Sequence, residues 1–287
     1  MPDPISTDSS SASRPVLSGE GASGVDRIAA VFEAAKGDGR AALMPYMMGA
    51  FPDPATATAV AEAYAEAGAD LIELGIPFSD PLADGPTIHS ADTKALANGA
   101  TFDSALAAVA GVADRVPVLV MCYANMVLTL GAERFAGRLA DAGAAGAIVP
   151  DMPLEEATEV REALAARGLA LVPLVAPTTP DDRLARIAEL ATGFVYVVST
   201  TGTTGERKEL APELRDLTAR VRETSPVPAA VGFGISTPEQ AAEVGEIADG
   251  VIIGTRLVRA VDEADSPEAA AREVSGFLAE VRDALSR

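Results

Sequence analysis

Short apolar segments alternate with longer helix-like segments from Asp26 onwards, and this alternation limits the fold more than any other feature of the chain. The apolar segments are rich in Val, Ile and Leu and end in Gly or Pro, which is typical of strands buried in a parallel sheet. We expect eight strands: Ala42–Met47, Leu71–Gly75, Val118–Cys122, Gly146–Pro150, Ala170–Val175, Phe194–Ser199, Ala229–Gly232 and Gly250–Gly254.

The segments between the strands are rich in Ala, Glu, Arg and Leu at helical spacing. Before three of them a Thr or Ser stands directly ahead of a proline, which predicts an N-cap followed by the first helical residue. The predicted helices are Val25–Lys36, Ala55–Ala67, Ser104–Asp114, Glu133–Ala142, Leu154–Arg167, Pro180–Leu190, Ala211–Arg222, Pro238–Ile247 and Pro267–Leu285.

Eight uninterrupted strand–helix units predict an α/β fold, a single (β/α)8 TIM barrel with an extra N-terminal helix, because right-handed crossovers close a parallel sheet in one direction. A doubly wound open sheet is the alternative, but no Gly-x-Gly-x-x-Gly motif follows the first predicted strand. Residues 1–24 are rich in Ser, Pro, Gly and Ala and predict a disordered tail. Residues 25–287 are then the barrel domain.

The charge and the scarcity of some residue types exclude several classes of protein. Because 22 Lys+Arg stand against 42 Asp+Glu, the net charge is −20 and the surface repels the phosphate backbone of nucleic acids. A single Cys and a single His exclude a disulfide framework and a Cys/His zinc site, and we expect no metal. Neither a signal peptide nor an apolar membrane span is recognisable, so we expect a cytoplasmic protein.

Two acidic candidates lie in the most unusual segment, Leu71–Ile88. Glu73 lies within a predicted apolar strand and shares a face with Gly75, so it points into the barrel if the other face packs on the helices. Burial there would raise the pKa of its carboxyl and suit a general acid or base, although an edge Glu paired with Lys or Arg is the simpler alternative. Asp84 lies in a long, Pro-stiffened loop after that strand; Asp-Gly is an ordinary turn pair, but barrel active sites use such loops.

Glycine-rich segments follow the last three predicted strands: Thr200–Gly205, Gly232–Ser236 and Gly254–Arg256. Gly permits close backbone approach, helix N-termini offer free amides, and the loops after strands seven and eight commonly bind phosphate in barrels. Plain turn glycines are the alternative. Since the chain is strongly acidic, backbone amides would be the main phosphate donors. The nearby cations are Arg207, Lys208 and Arg256.

Three of the four tyrosines, Tyr46, Tyr123 and Tyr196, lie at or near predicted strand ends, where they could wall a flat apolar ligand. Filling the core is an equal alternative for each of them. We expect Cys122 to be a small core residue and assign no role to His89.

The segment ELGIPFSDPLADGPTI, Glu73 to Ile88, resembles the signature of the tryptophan synthase alpha chain family. Other segments at the strand ends resemble the family too, in order along the chain: Pro45-Tyr46, Phe51–Pro54, Met121–Asn125, Pro150–Pro153, Tyr196, Thr204-Gly205, Gly232–Ser236 and Gly254-Thr255. The sixteen-residue signature is highly specific, whereas the glycine motifs alone would fit many phosphate-binding barrels.

The resemblance implies a lyase of tryptophan biosynthesis that cleaves indole-3-glycerol phosphate to indole and glyceraldehyde 3-phosphate. It implies that Glu73 is the catalytic acid and base. It also implies that Asp84 is the second catalytic acidic residue, whose carboxylate accepts a hydrogen bond from the indole N–H. It further implies that Tyr196, Tyr46, Met121, Tyr123, Ile148 and Leu174 bind the substrate and that Gly205, Gly234, Gly254 and Thr255 bind its phosphate.

The family works with a beta chain in an alpha2beta2 heterotetramer, so the resemblance implies this partner, with pyridoxal phosphate only in the beta chain and no cofactor here. Pro77 and Asp80 would face that partner, Asp80 contacting a Lys. Two departures stand out: Thr200 where relatives commonly carry Arg, and Tyr46 where Phe is common. A free-standing indole-producing lyase and an allosteric subunit with a silent site are the alternatives.

Overall fold

The computed structural model describes residues 21–198, 212–232 and 234–286. Within them, nine strands form one sheet in which all paired neighbours are parallel. The strands are β1 (Ala42–Met48), β2 (Ile72–Gly75), β3 (Val118–Met121), β4 (Gly146–Ile148), β5 (Ala170–Val172), β6 (Leu174–Val175), β7 (Val195–Val198), β8 (Ala229–Gly232) and β9 (Gly250–Ile253).

The sheet closes into a barrel because its two outermost strands are successive pieces of one extended segment. The strand order is β5-β4-β3-β2-β1-β9-β8-β7-β6, and only Pro173 separates β5 from β6. Proline has no amide hydrogen to donate to a ladder, which explains the interruption. Its carbonyl still accepts the amide of Tyr196 at 2.9 Å. Counted as one strand, the split segment gives the eight positions of the predicted TIM barrel, which is confirmed.

Twelve helices in the described part of the chain surround the barrel or close its ends. They are α1 (Gly24–Gly37), α2 (Pro54–Glu66), α3 (Pro86–Ala97), α4 (Phe102–Val112), α5 (Ala124–Leu130), α6 (Ala132–Asp141), α7 (Thr158–Ala165), α8 (Asp181–Leu190), α9 (Pro212–Thr224), α10 (Pro238–Gly245), α11 (Thr255–Asp262) and α12 (Pro267–Leu285).

The predicted helix list was incomplete and one boundary was wrong. It lacked α3, which follows the long loop after β2, and the two short helices α5 and α11, which closely follow the ends of β3 and β9. The helix predicted over Leu154–Arg167 begins only at Thr158, because the preceding residues form turns in which the Glu156 amide donates to the Pro153 carbonyl at 3.0 Å.

The first helix begins at Gly24, capped by Ser23, next to the expected domain boundary. Residues 1–20 of the expected tail lie outside the described residues, as do Ser199 and Ala211 at the ends of a predicted strand and a predicted helix.

The extra N-terminal helix fills one end of the barrel. Ile28, Val31, Phe32 and Ala35 of α1 are buried in one cluster with inward-facing residues of the strands. The Phe32 ring lies 5.6 Å from the ring of Phe194, next to β7. Because the strands run parallel and α1 occupies their amino ends, the opposite end, where the strands finish, is left for a site.

A buried ion pair fixes the first two strands at the end that α1 fills. The Arg40 guanidinium binds both carboxylate oxygens of Asp70, at 2.5 and 2.9 Å, and the Leu43 amide donates to the same carboxylate at 2.8 Å. The Arg40 side chain is only 4% exposed and Asp70 only 7%. This pair holds the start of β1 against the chain that enters β2.

Among the described residues, no single helix is long and apolar enough to cross a membrane. Helices α3 and α4 reach that length and composition only as a pair, and they are bent by 107° from each other.

Candidate active site

Glu73 lies inside the barrel on β2, one of the inner strands of the sheet. It stands opposite Tyr46 of β1 and Leu119 of β3 in the strand register. Leu119 and Leu71, two residues before Glu73, both belong to the inner cluster, so the inward direction expected from strand alternation is confirmed.

The environment of Glu73 favours its protonated form. The residue is 1% exposed, and its Oε2 atom has no hydrogen-bond partner among the described residues. Burial, helped by the negative charge of Asp84, raises the pKa of Glu73 from 4.5 to about 8. No described Lys or Arg side chain forms an ion pair with it, which argues against the simpler edge-residue interpretation. Glu73 is therefore a carboxyl poised to give and take a proton near neutral pH.

Asp84 is held at the end of its loop by Tyr123. The Tyr123 hydroxyl donates to Asp84 Oδ2 at 2.7 Å and accepts the Ala83 amide at 3.1 Å. Burial raises the pKa of Asp84, while the Tyr123 hydrogen bond and the charge of His89 act in the opposite direction. Its second oxygen, Oδ1, receives no hydrogen bond from any described residue and is free for a ligand donor.

Tyr46 and Tyr196 each lie across a glycine of the neighbouring strand. A Cβ atom on Gly75 would be 2.1 Å from the Tyr46 hydroxyl, and one on Gly232 would be 2.4 Å from the Tyr196 hydroxyl. Only glycine leaves room for the two rings at these positions. Both phenols are almost completely buried, and burial together with nearby carboxylates, including Glu73 and Asp84, raises their pKa well above 10.

The predicted apolar lining lies on the same inner surface. Met121 is opposite Ile148 in the β3–β4 register, and Leu174 is opposite Tyr196 in the β6–β7 register. Met121 and Leu174 are partly exposed, whereas Ile148 is fully buried and belongs to the floor of the site.

The predicted phosphate residues are brought together in part. Gly254 is the N-cap of α11 and packs 3.6 Å from Tyr46, measured from a Cβ atom built on the glycine. The first amides of α11, starting at Thr255, have no side-chain cap. Gly234 lies in the loop between β8 and α10. The fourth predicted residue, Gly205, lies outside the described residues, together with Thr200, Arg207 and Lys208.

Arg256, the described cation nearest this corner in sequence, is engaged elsewhere. Its guanidinium binds Glu273 at 3.1 Å and lies 5.0 Å above the Phe277 ring, both on α12. Its side chain therefore supports the packing of α11 on α12 and does not replace the missing loop Arg.

The exposed surface beside the site comes from the loop before α3 and from α5. Asp80 is exposed as expected, but Pro77 is buried in the chain and offers no side-chain surface. Two apolar side chains not singled out from the sequence protrude here: Leu82 is 82% exposed and Leu128 is 70% exposed.

Sequence analysis missed Asp92, a third carboxyl beside the site and, like Glu73, a buried one. It is 1% exposed on α3, and its Oδ1 atom accepts the Phe78 amide at 3.0 Å. The available signal was its spacing four residues after Ile88, which places both residues on the buried face of α3, a helix absent from the predicted set.

A separate cavity of about 350 Å³ lies between α7 and α8, outside this constellation. Leu174 is the one predicted substrate residue that borders it, and neither Glu73 nor Asp84 does.

In the described part of the chain, no three His, Cys, Asp or Glu side chains are grouped to hold a metal ion. Cys122 is buried and unpaired, as expected of a core residue.

Comparison with known proteins identifies the family. The family model described as tryptophan synthase alpha chain matches residues 32–286. The tryptophan synthase alpha chain of Roseiflexus sp. is 47% identical over 253 residues, which cover 87% of this chain and 97% of the relative. That of Chloroflexus aurantiacus is 46% identical over 265 residues, or 91% and 98% of the two chains.

Solved structures agree with this assignment. A structure of Mycobacterium tuberculosis tryptophan synthase superposes with a TM-score of 0.84 at 38% identity, covering 93% of this chain and 99% of that one. The tryptophan synthase subunit alpha of Legionella pneumophila superposes with a TM-score of 0.80 at 35% identity, covering 90% and 98%. By sequence and by fold, this chain belongs to the tryptophan synthase alpha chain family.

Proposed function

We propose that this chain is a lyase that cleaves indole-3-glycerol phosphate to indole and glyceraldehyde 3-phosphate in tryptophan biosynthesis. The observation that carries the proposal is a buried Glu73, with a pKa raised to about 8, electrostatically coupled to an Asp84 that Tyr123 holds in place. This pair supplies a proton donor and a fixed negative acceptor within one apolar, tyrosine-walled site.

Cleavage of the bond between indole C3 and the glyceryl carbon needs two proton transfers. A proton must reach C3. The glyceryl carbon bonded to C3 carries a hydroxyl, which must lose its proton as that carbon becomes the aldehyde. Glu73, protonated near neutral pH, donates to C3; the carboxylate that results accepts the hydroxyl proton. One carboxyl with a pKa near the working pH serves both steps and is restored at the end.

Asp84 would stabilise the positive charge that builds up on the indole ring when C3 is protonated. Its free Oδ1 can accept the indole N–H, while the Tyr123 hydroxyl keeps the other oxygen fixed. This interaction strengthens as the ring becomes cationic, so it lowers the barrier more than it strengthens substrate binding.

The phosphate would bind where the loops after β8 and β9 meet. Gly234 offers a backbone without a side chain, and Gly254 and Thr255 begin a helix whose first amides lack a side-chain cap. Amides suit this chain because its net charge is −20, and the helix N-terminus favours an anion. We include Gly205 on the strength of the family resemblance alone.

We further propose that the chain works in an alpha2beta2 assembly with a beta chain that carries pyridoxal phosphate. The exposed Leu82 and Leu128 support a partner surface beside the mouth of the site, since apolar side chains this exposed favour burial by another protein. Asp80 on the same loop offers a carboxylate to a partner Lys. A cytoplasmic location is consistent with this biosynthetic role.

The test is indole formation from indole-3-glycerol phosphate, measured with and without the beta chain. The proposal predicts indole and glyceraldehyde 3-phosphate in equal amounts, and faster turnover in the complex. High turnover without any beta chain would favour a free-standing lyase. Activation of the beta chain without any cleavage would favour an allosteric subunit with a silent site.

A further inference from the structure

Asp92 is a buried charged residue for which the proposed reaction has no use. It is 1% exposed, and its Oδ2 atom has no hydrogen-bond partner among the described residues. A buried carboxyl with an unsatisfied oxygen costs free energy, and the contact made by its other oxygen offsets part of that cost.

That other oxygen binds the first part of the loop that carries Asp84. Asp92 Oδ1 accepts the Phe78 amide at 3.0 Å, across fourteen residues of chain. Two residues earlier, the Ile76 amide donates to the Met121 carbonyl at 2.8 Å. The start of the loop is thus fixed on β3 from one side and on α3 from the other.

Both ends of the loop meet at Tyr123. The Phe78 ring stacks on the Tyr123 ring, with centroids 5.2 Å apart and planes inclined by 25°. The Tyr123 hydroxyl binds the Ala83 amide and the Asp84 carboxylate at the far end. Between them the loop protrudes, and Leu82 at its tip is 82% exposed. A displacement of Phe78 would therefore reach the Tyr123–Asp84 contact directly.

We propose that Asp92 is a positioning residue of the active site: it anchors the Phe78 amide, and through the stacked Phe78 and Tyr123 rings it keeps Asp84 aligned. The proposal rests on the proposed lyase function, for which Asp84 must be held still while positive charge develops beside it. Asp92 itself touches no reacting atom.

The electrostatics of Asp92 suit an anchor that works in either protonation state. Burial and the charge of Asp84 raise the pKa of Asp92 to about 7, against the opposite effect of the Phe78 amide. Protonated or ionised, the carboxyl retains an oxygen that accepts the Phe78 N–H. An Asn at this position would keep that acceptor without the charge, whereas an Ala would remove it.

Amide hydrogen exchange in the purified chain tests the anchor without reference to catalysis. In Asp92→Ala, we expect the Phe78 and Ala83 amides to exchange at least about fivefold faster. The Phe78 amide loses its acceptor, and the Ala83 amide keeps its acceptor, the Tyr123 hydroxyl, but the Tyr123 ring is no longer held by a fixed Phe78. In Asp92→Asn, both amides should exchange within about twofold of the wild-type rates. Unchanged exchange in the Ala variant, or equal loss of protection in the Asn variant, would overturn the proposal.

Steady-state kinetics of indole release, with the beta chain present, test the effect on Asp84. Asp92→Ala should lower kcat about tenfold or more with little change in KM, because the phosphate end of the substrate is bound elsewhere. Asp92→Asn should restore kcat. In a Tyr123→Phe background, Asp92→Ala should cost much less, because both changes act on one chain of contacts. Additive losses, or an Asn variant as slow as the Ala variant, would refute the role.

These measurements keep the two proposals separable. A wild-type chain that released no indole would refute the proposed function, while exchange at Phe78 and Ala83 would still decide whether Asp92 anchors the loop.

Discussion

Replacing Glu73 by Gln should remove the proposed catalytic group and at the same time stabilise the fold, increasingly so as the pH rises. In the unfolded chain the carboxyl ionises with its ordinary pKa of 4.5, whereas in the barrel its pKa is about 8. The stability that the neutral Glu73 carboxyl contributes to the folded chain is therefore fully present below about pH 4.5 and is lost progressively as the pH rises to about 8. A neutral Gln does not suffer this loss.

The size of the effect follows from the same two values. The difference between 4.5 and about 8, at about 1.4 kcal/mol for each pH unit, corresponds to about 5 kcal/mol above pH 8. Relaxation of the site around the charged form makes this an upper bound. Between about pH 5.5 and about pH 8.5, linkage gives an increase of about 3 kcal/mol in the advantage of the variant over the wild type.

Urea unfolding followed by far-UV circular dichroism at several pH values in this interval would measure the difference. The matched control is Glu62→Gln, which makes the same change at an exposed residue of α2, outside the barrel interior. A Glu73→Gln advantage that is constant with pH, or that shrinks as the pH rises, would refute the buried, neutral carboxyl.

Three other changes probe the frame around the site. Asp70→Asn leaves the buried Arg40 guanidinium with only the exposed Asp38 carboxylate and should lower the free energy of unfolding by about 3–5 kcal/mol, measured in urea. Gly75→Ala places a Cβ atom 2.1 Å from the Tyr46 hydroxyl and should destabilise the barrel by about 1–3 kcal/mol while slowing indole release. Tyr123→Phe removes the hydroxyl that holds the loop carboxylate and should lower kcat about tenfold or more with KM little changed, measured in steady state.

Each of these changes has a counterpart that checks its reasoning. Asp103→Asn breaks the exposed ion pair with Arg138 and should lower the free energy of unfolding by less than about 1 kcal/mol. An equally small loss for Asp70→Asn would contradict the claim that Asp70 neutralises a buried guanidinium. Tyr46→Phe removes the atom nearest the new methyl group, so adding it to Gly75→Ala should recover part of the stability. If it recovers none, the close approach is not the cause. A normal kcat for Tyr123→Phe would show that the Tyr123 hydroxyl is not needed to position Asp84.

The barrel was predictable because its signal is periodic and repeated. Eight apolar segments at regular intervals identify the strands, and alternation within one of them points Glu73 inward. The interruption of the fifth predicted strand was not foreseen, although it contains Pro173. A proline interrupts a strand only where the neighbouring strand would accept a hydrogen bond from an amide at that position, and this depends on the register of the sheet. Helices α5 and α11 were missed because they are short, with seven and eight residues, and closely follow strand ends. Helix α3 is longer, with twelve residues, but it begins directly after the loop that carries Asp84.

Within the site, the acids were predictable but their supports were not. Glu73 and Asp84 stand in a recognisable segment, whereas the Tyr123–Asp84 bond joins residues thirty-nine positions apart. The need for Gly232 beneath Tyr196 likewise depends on the distance between two strands in the closed barrel. Such contacts arise from tertiary packing and leave no local pattern in the sequence.

The measurement that tests the central claim most directly is indole release from indole-3-glycerol phosphate by wild type and Glu73→Gln, each with the beta chain. Indole fluorescence can be followed without a tryptophan background from this chain, because it contains no Trp. We expect wild type to release indole and the variant, although folded and more stable, to retain less than about a hundredth of that rate. A variant that kept more than about a tenth of the wild-type rate would contradict the role of Glu73 as the acid and base.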